Sequence, residues 1–192
     1  WIRTDAAISA PIFRREFTLP APHAPHAPWA PNRTAAAAAQ PRVTLFVAGI
    51  GYNEVFLNGE KLGDEQLASG WSDFGKRVLY STYDLTARLT AGTRAALGIA
   101  LGNGWWSCGP PPGTTQPACG AAPPQLRLQL QVGGKPVLLS DASWRAAASA
   151  ITYNSLYNGE HYDARSAAAL AGWAAPGFDD AAWAHAVAAT SV

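Results

Sequence analysis

Methionine is absent from all 192 residues, and Trp rather than Met stands at position 1, so the chain reads as a processed product or a piece of a longer one. Charge is scarce as well. Only 14% of residues are Asp, Glu, Lys or Arg and the net charge is +1, which leaves no basic footprint for a nucleic-acid backbone and no polybasic patch for a membrane surface. No apolar run approaches the roughly 18 residues that a membrane span requires. The sequence contains no Gly-x-Ser-x-Gly, phosphate loop, dinucleotide fingerprint or His-Glu-x-x-His, so it offers no familiar catalytic arrangement. The acidic residues fall at turns (Asp64 and Glu65, Asp141, Glu160 and Asp163, Asp179 and Asp180) rather than as the facing pair that glycoside hydrolysis needs.

Cysteine is nearly absent too. Cys108 and Cys119 bracket a Pro/Gly-rich loop, and two cysteines without histidine partners do not make a zinc site. Two readings are open, a bridge or two free thiols. The expected bridge would stabilise the fold by about 3 kcal/mol for a loop of this size and implies an oxidising, extracellular compartment. The sequon at Asn32 agrees with secretion. His23 and His26 lie in the Pro/Ala-rich stretch from 20 to 41, far in sequence from His161 and His185. That stretch is read as a low-complexity insert that needs no ligand to explain it.

What is present is β-patterned. Asn58-Gly59 lies between Tyr52–Leu57 and Glu60–Leu62 and predicts a type I′ hairpin, because both turn centres need positive φ. Further strands are expected at Ile12–Leu19, as an edge or entry strand bounded by prolines, and at Val43–Ala48, Val78–Tyr83 and Ala95–Leu101. Gln125–Val132 alternates Gln125, Arg127, Gln129 and Gln131 with Leu126, Leu128, Leu130 and Val132. This predicts one wet face, and Gly133-Gly134 would turn the chain into Pro136–Leu139 to make an edge hairpin. About eight short strands without a long amphipathic helix predict an all-β fold, an antiparallel β-sandwich of jelly-roll type, as a single domain over residues 1–192.

Eight tryptophans exceed what a core of this size usually needs. Indole faces stack on the CH-rich faces of sugars, and Asn and Asp read their hydroxyls, so carbohydrate is the expected partner. Trp1, Trp144, Trp173 and Trp183 are expected in rim packing, the second and fourth after turn-forming Asp-x-x-Trp. Trp105 and Trp106, in a glycine-flanked loop, are the candidates to line a site. Asn53 and Glu54, beside Tyr52, could offer oxygens to a hard cation such as Ca²⁺.

Two strings carry a family resemblance. One runs from Gly51 through Leu57-Asn58-Gly59, Gly63-Asp64, Gly70-Trp71, Lys76-Arg77 and Tyr80 to Thr82-Tyr83-Asp84. The other is Tyr157-Asn-Gly-Glu-His-Tyr-Asp-Ala-Arg165 followed by Phe178-Asp-Asp-x-x-Trp183. Together with Leu101-Gly-Asn-Gly-Trp105, they resemble the N-terminal β-domain of bacterial-type α-L-rhamnosidases. The resemblance implies a non-catalytic domain whose parent enzyme hydrolyses the sugar in a separate (α/α)₆ barrel. It also implies, for some members, calcium-dependent binding of L-rhamnose. Carried over by position, Asn53, Glu54 and the Asn103 main chain would serve the ion, and Tyr80, Asn103, Trp105 and Trp106 the sugar. The leading expectation is therefore a secreted module for rhamnose-containing glycans. The alternatives are an accessory domain packed on a rhamnosidase barrel and a structural module of an extracellular glycoprotein. The Tyr157–Arg165 segment is expected to be structural, with Glu160 or Asp163 paired to Arg165 behind Tyr157 and Tyr162.

Overall fold

The computed structural model describes residues 1–20, 41–107 and 122–189. Cys108, Cys119, Asn32, His23 and His26, and all but the ends of the 20–41 insert, lie outside them.

Two antiparallel sheets of six strands form a sandwich. In the first, β14 (Val187–Ala188), β1 (Ile2–Arg3), β8 (Gln125–Val132), β3 (Val43–Ile50) and β6 (Ser81–Asp84) follow one another, and β9 (Lys135–Leu139) shares an edge of β8 with β1. In the second the order is β13 (Ala184–His185), β10 (Arg145–Ala148), β2 (Pro11–Thr18), β7 (Arg94–Gly102), β4 (Tyr52–Leu57) and β5 (Glu60–Lys61). A separate hairpin pairs β11 (Ile151–Ser155) with β12 (Gly159–Tyr162), and the helix α1 spans Ala164–Ala169. The chain crosses repeatedly between the sheets, as a jelly roll does. Among the described residues fourteen strands replace the eight expected, because the extra ones are short pairs at the margins.

The period-2 pattern assigns the inner faces. Val43, Leu45 and Val47 of β3 and Leu126, Leu128 and Leu130 of β8 meet Val55 and Leu57 of β4 and Leu97, Ile99 and Leu101 of β7 in one buried cluster. Each such side chain contributes about 1.5–3 kcal/mol by leaving water. The Asn58-Gly59 turn forms with φ of 54° and 88°. Asn58 also binds both ways to the Ala96 backbone, its N–H donating to the carbonyl at 2.9 Å and its Oδ1 accepting from the N–H at 2.9 Å.

Several expectations are corrected. β2 is an interior strand between β10 and β7, with Pro11 tolerated because it opens the strand. β8 is likewise interior, and β9 is the edge. Gln125, placed on the wet face, is buried, whereas Arg127 is exposed. The strand expected at Val78–Tyr83 occupies Ser81–Asp84. Trp144 is not at the rim: it is wholly buried in the main cluster, and its one polar atom, Nε1, donates to the Leu139 carbonyl at 2.9 Å. That satisfied N–H is what permits full burial of an indole.

Trp173 and Trp183 do pack outside the core. On the outer face of the second sheet, Arg14, Gly98 and Phe56 lie in register across β2, β7 and β4. The Trp173 ring rests over Gly98, meets Phe56 edge-on at 5.5 Å between centroids and neighbours Trp183 at 6.5 Å. The C-terminal segment thus covers this part of the sheet and leaves its Gly102 end open.

Candidate functional site

At that open end the β3–β4 junction, the 103–107 turn and the β11–β12 hairpin come together. Gly51 has φ +100°, and a Cβ there would stand 2.0 Å from the Gly102 carbonyl oxygen; one on Gly104 would stand 3.1 Å from Gly51 Cα. Only two bare backbones fit so closely. The turn is then tied to the hairpin by buried amides. Asn103 N–H donates to Asn154 Oδ1 at 2.7 Å, and Asn103 Nδ2 donates to the Asn154 carbonyl at 2.9 Å and to Ser9 Oγ at 3.0 Å. Asn154 Nδ2 in turn donates to the Ser9 carbonyl at 2.9 Å. Asn103 therefore ties the turn to the hairpin and to Ser9.

This frame presents a row of rings. Trp105 lies 5.7 Å from Trp71 and 6.0 Å, edge-on, from Tyr157. Trp71 and Tyr157 are each 73% exposed and Trp105 45%, a costly arrangement for apolar rings in a lone domain. Beside the row runs a cleft of about 410 Å³ between the outer face of the second sheet and the hairpin, with Tyr52, Glu54, Leu67, Gly102, Asn154 and Glu160 among its walls. That volume lies in the range of small-ligand sites, about 300–1,000 Å³. Trp106 has a different place. Its Nε1 donates to the Pro123 carbonyl at 3.2 Å and its ring meets Phe74 edge-on, so it anchors the turn.

The residues named for a cation do not converge. Asn53 and Glu54 are consecutive on β4, and Asn53 faces the interior with Val55 and Leu57, whereas Glu54 faces outward and binds Lys61 Nζ at 2.6 Å. The Asn103 carbonyl, the oxygen that would face the ion, already accepts from the Trp106 and Ser107 N–H groups at 3.1 and 3.2 Å. Among the described residues no three His, Cys, Asp or Glu side chains form a metal-binding group. These three residues by themselves do not gather around one point the six to eight oxygens that Ca²⁺ takes.

Tyr80 is also elsewhere. It stands against Phe46, 6.0 Å between centroids, on the outer face of the first sheet, and lines a different cleft from the one beside the ring row.

The Tyr157–Arg165 segment departs from expectation in one respect and agrees in another. Asp163 does pair with Arg165, at 2.9 Å, and caps α1 by accepting from the Arg165 N–H at 3.0 Å. The side-chain contact with Arg165 and then that backbone N–H hold the Asp163 carboxyl below its usual range. The pair is not shielded, however: the Arg165 side chain is 91% exposed, and Tyr157 lies instead against Trp105.

Residues 38–191 match the α-L-rhamnosidase N-terminal domain family. The chain belongs to that family. It is 40% identical over 147 residues to an α-L-rhamnosidase of Streptomyces avermitilis, covering 74% of this chain and 14% of the relative, and 36% identical to one of Formosa agariphila, covering 72% and 15%. Among solved structures, the Streptomyces avermitilis α-L-rhamnosidase complexed with L-rhamnose superposes with a TM-score of 0.70 at 33% identity, over 96% of this chain and 16% of that one. The chain thus spans about one seventh of the length of these curated relatives.

In this rhamnosidase N-terminal domain, reading the sequence alone missed Trp71 and Tyr157 as ring partners of Trp105. The signal was present in Gly70-Trp71 and in the Tyr157-Asn158-Gly159 turn, two loops that each lift an aromatic out of a strand end. Nothing local could show that both loops reach Trp105.

Proposed function

We propose that this domain is the accessory β-sandwich of a longer, extracellular α-L-rhamnosidase, and that its loop end binds the rhamnosyl part of a glycan by stacking on the Trp71–Trp105–Tyr157 row. The supporting observation is that row itself, three rings held outward by buried backbone and amide contacts beside an open cleft. Indole and phenol faces present CH–π contacts to a pyranose, and Glu160 and Tyr52 on the cleft walls offer hydroxyl partners. The Streptomyces relative crystallised with L-rhamnose makes that sugar the first ligand to try. Calcium has no part in this reading, because the donors named for it do not converge.

Calorimetric titration of the full-length protein with L-rhamnose, with calcium and then with chelator, tests the proposal. Trp105→Ala is expected to weaken binding about tenfold or more, as truncating a recognition Trp costs on the order of 2 kcal/mol. The absence of heat in both conditions defeats it.

A second reading has its own support. The part of this chain that matches spans only 14–15% of these relatives, and exposed aromatic patches also mark domain interfaces. Here the row would dock on the catalytic part of the same enzyme. Acrylamide quenching of tryptophan fluorescence should then fall sharply when the downstream chain is present.

A further inference from the structure

The outer face of the first sheet carries a second cleft, of about 400 Å³, whose lining shares no residue with the cleft beside the ring row. Its floor follows from the strand register. Thr82, Phe46, Gln129 and Leu139 are aligned across β6, β3, β8 and β9, and one step along the strands Ala48 is paired with Arg127. Ala48 is small, so the surface dips there. Tyr80, 65% exposed and edge-on to Phe46, is part of the wall of the dip, as are Arg127 and Trp1.

Arg127 is the unusual member. Arg14, on the outer face of the other sheet, is fully engaged by carboxylates and carbonyls, yet Arg127, though exposed, makes no hydrogen bond or ion pair among the described residues, and no Asp or Glu lines this cleft. A guanidinium presents a planar fork that matches a carboxylate in two parallel hydrogen bonds. Next to it Gln129 offers an amide donor and acceptor for hydroxyls.

We propose that this face is a second glycan site that takes an acidic sugar, a hexuronate whose carboxylate pairs with Arg127 while its ring stacks on Tyr80 over Ala48. The site stands independently of the Trp105 reading, since it shares no residue with it. It would let one domain hold a polysaccharide that carries uronate units, with the two faces engaging different sugars.

The test uses tetragalacturonate and its fully methyl-esterified counterpart, titrated into the full-length protein. The acid is expected to bind and the ester to bind at least tenfold more weakly. Arg127→Gln should lose the same factor for the acid and leave the affinity for L-rhamnose unchanged, and Tyr80→Ala should weaken both acid and ester. The Arg127 side chain makes no hydrogen bond or ion pair among the described residues, so its variant is expected to fold as the parent does, which circular dichroism checks. Equal binding of acid and ester, an unaltered affinity in Arg127→Gln, or no binding of the acid overturns the proposal. None of these results bears on Trp105, whose own failure is read with L-rhamnose and Trp105→Ala.

Discussion

Arg14 Nε donates to the main-chain carbonyl of Trp173 at 2.8 Å, joining residues 159 apart in sequence. The other four N–H groups of the same guanidinium reach the carbonyls of Ala175 and Phe178 and the carboxylates of Glu16 and Asp180. All five donors are used, and the side chain is only 2% exposed. One buried cation therefore fastens the C-terminal segment to the second sheet.

Replacing Arg14 by Ala strands the Asp180 carboxylate and three carbonyls and takes one of its partners from Glu16, which keeps Arg94 and the Gly177 N–H. The loss expected on breaking a buried, hydrogen-bonded pair is about 3–5 kcal/mol, read as a drop in the denaturation midpoint. Arg14→Lys should recover little of it, since an ammonium cannot span the same fork. Arg42→Ala, whose partner Asp84 is reached only at the surface, should leave the midpoint unmoved.

Glu16 sits at the centre of that cluster. Burial pushes its carboxyl up, but the hydrogen bonds from Arg14, the Gly177 N–H and Arg94 together outweigh it, and the group titrates below its ordinary value near 4.5. An unfolded chain then takes up this proton at a higher pH than the folded one does. The stabilisation is complete above about pH 4.5 and is lost as pH falls through the lower folded value. Denaturation midpoints measured from about pH 7 to pH 3 should fall on the acid side, and Glu16→Gln should flatten that limb. An unchanged acid limb would show that the cluster does not depend on the ionised form.

How much of this could be read from the chain depends on the range of each signal. The Asn58-Gly59 turn, the alternation of Gln125–Val132 and the strand around Ala95–Leu101 are local, and the structure keeps them nearly residue for residue. Long-range relations left no such mark. A basic residue in IFRREFTL looks like the wet side of an edge strand, and only the return of residues 173–180 over Gly98 makes Arg14 buried. Trp144 resembles Trp183 in its Asp-x-x-Trp context, yet one indole enters the core and the other covers its outside. At the candidate site, Trp105 was legible from its glycine-flanked loop. Asn53 and Glu54 were adjacent in sequence but, on a strand, point to opposite faces, which the period-2 pattern of Val55 and Leu57 already implied.

The Asp163–Arg165 pair looks stronger in sequence than it is in place. The carboxylate does two jobs, capping the first turn of α1 and holding a guanidinium that stands in water. Arg165→Ala should leave the melting temperature where it was, because the screened pair adds little. Asp163→Ala should lower it and increase amide exchange across Ala164–Ala169, since the helix loses its acceptor for the Arg165 N–H. Equal effects of the two substitutions would show that charge, rather than the cap, is what matters.

Gly98 is the position where the outer layer can be pried from the sheet by a single methyl group. A Cβ there would lie 2.6 Å from Ala174 Cβ and 2.7 Å from Trp173 Cζ3, both inside contact distance. The backbone of β7 is fixed between β2 and β4, so the strain falls on the covering segment. Gly98→Ala should destabilise by about 1–3 kcal/mol, the usual cost of overpacking, and Gly98→Val by more. Because Trp173 and Trp183 are displaced together, their fluorescence should shift toward that of exposed indole at denaturant concentrations where Trp144, held in the main cluster, is still buried. A single transition in which all tryptophans report together, with no early phase, would mean that the C-terminal cover and the sandwich unfold as one unit, and that Arg14 couples them more tightly than the added methyl can undo.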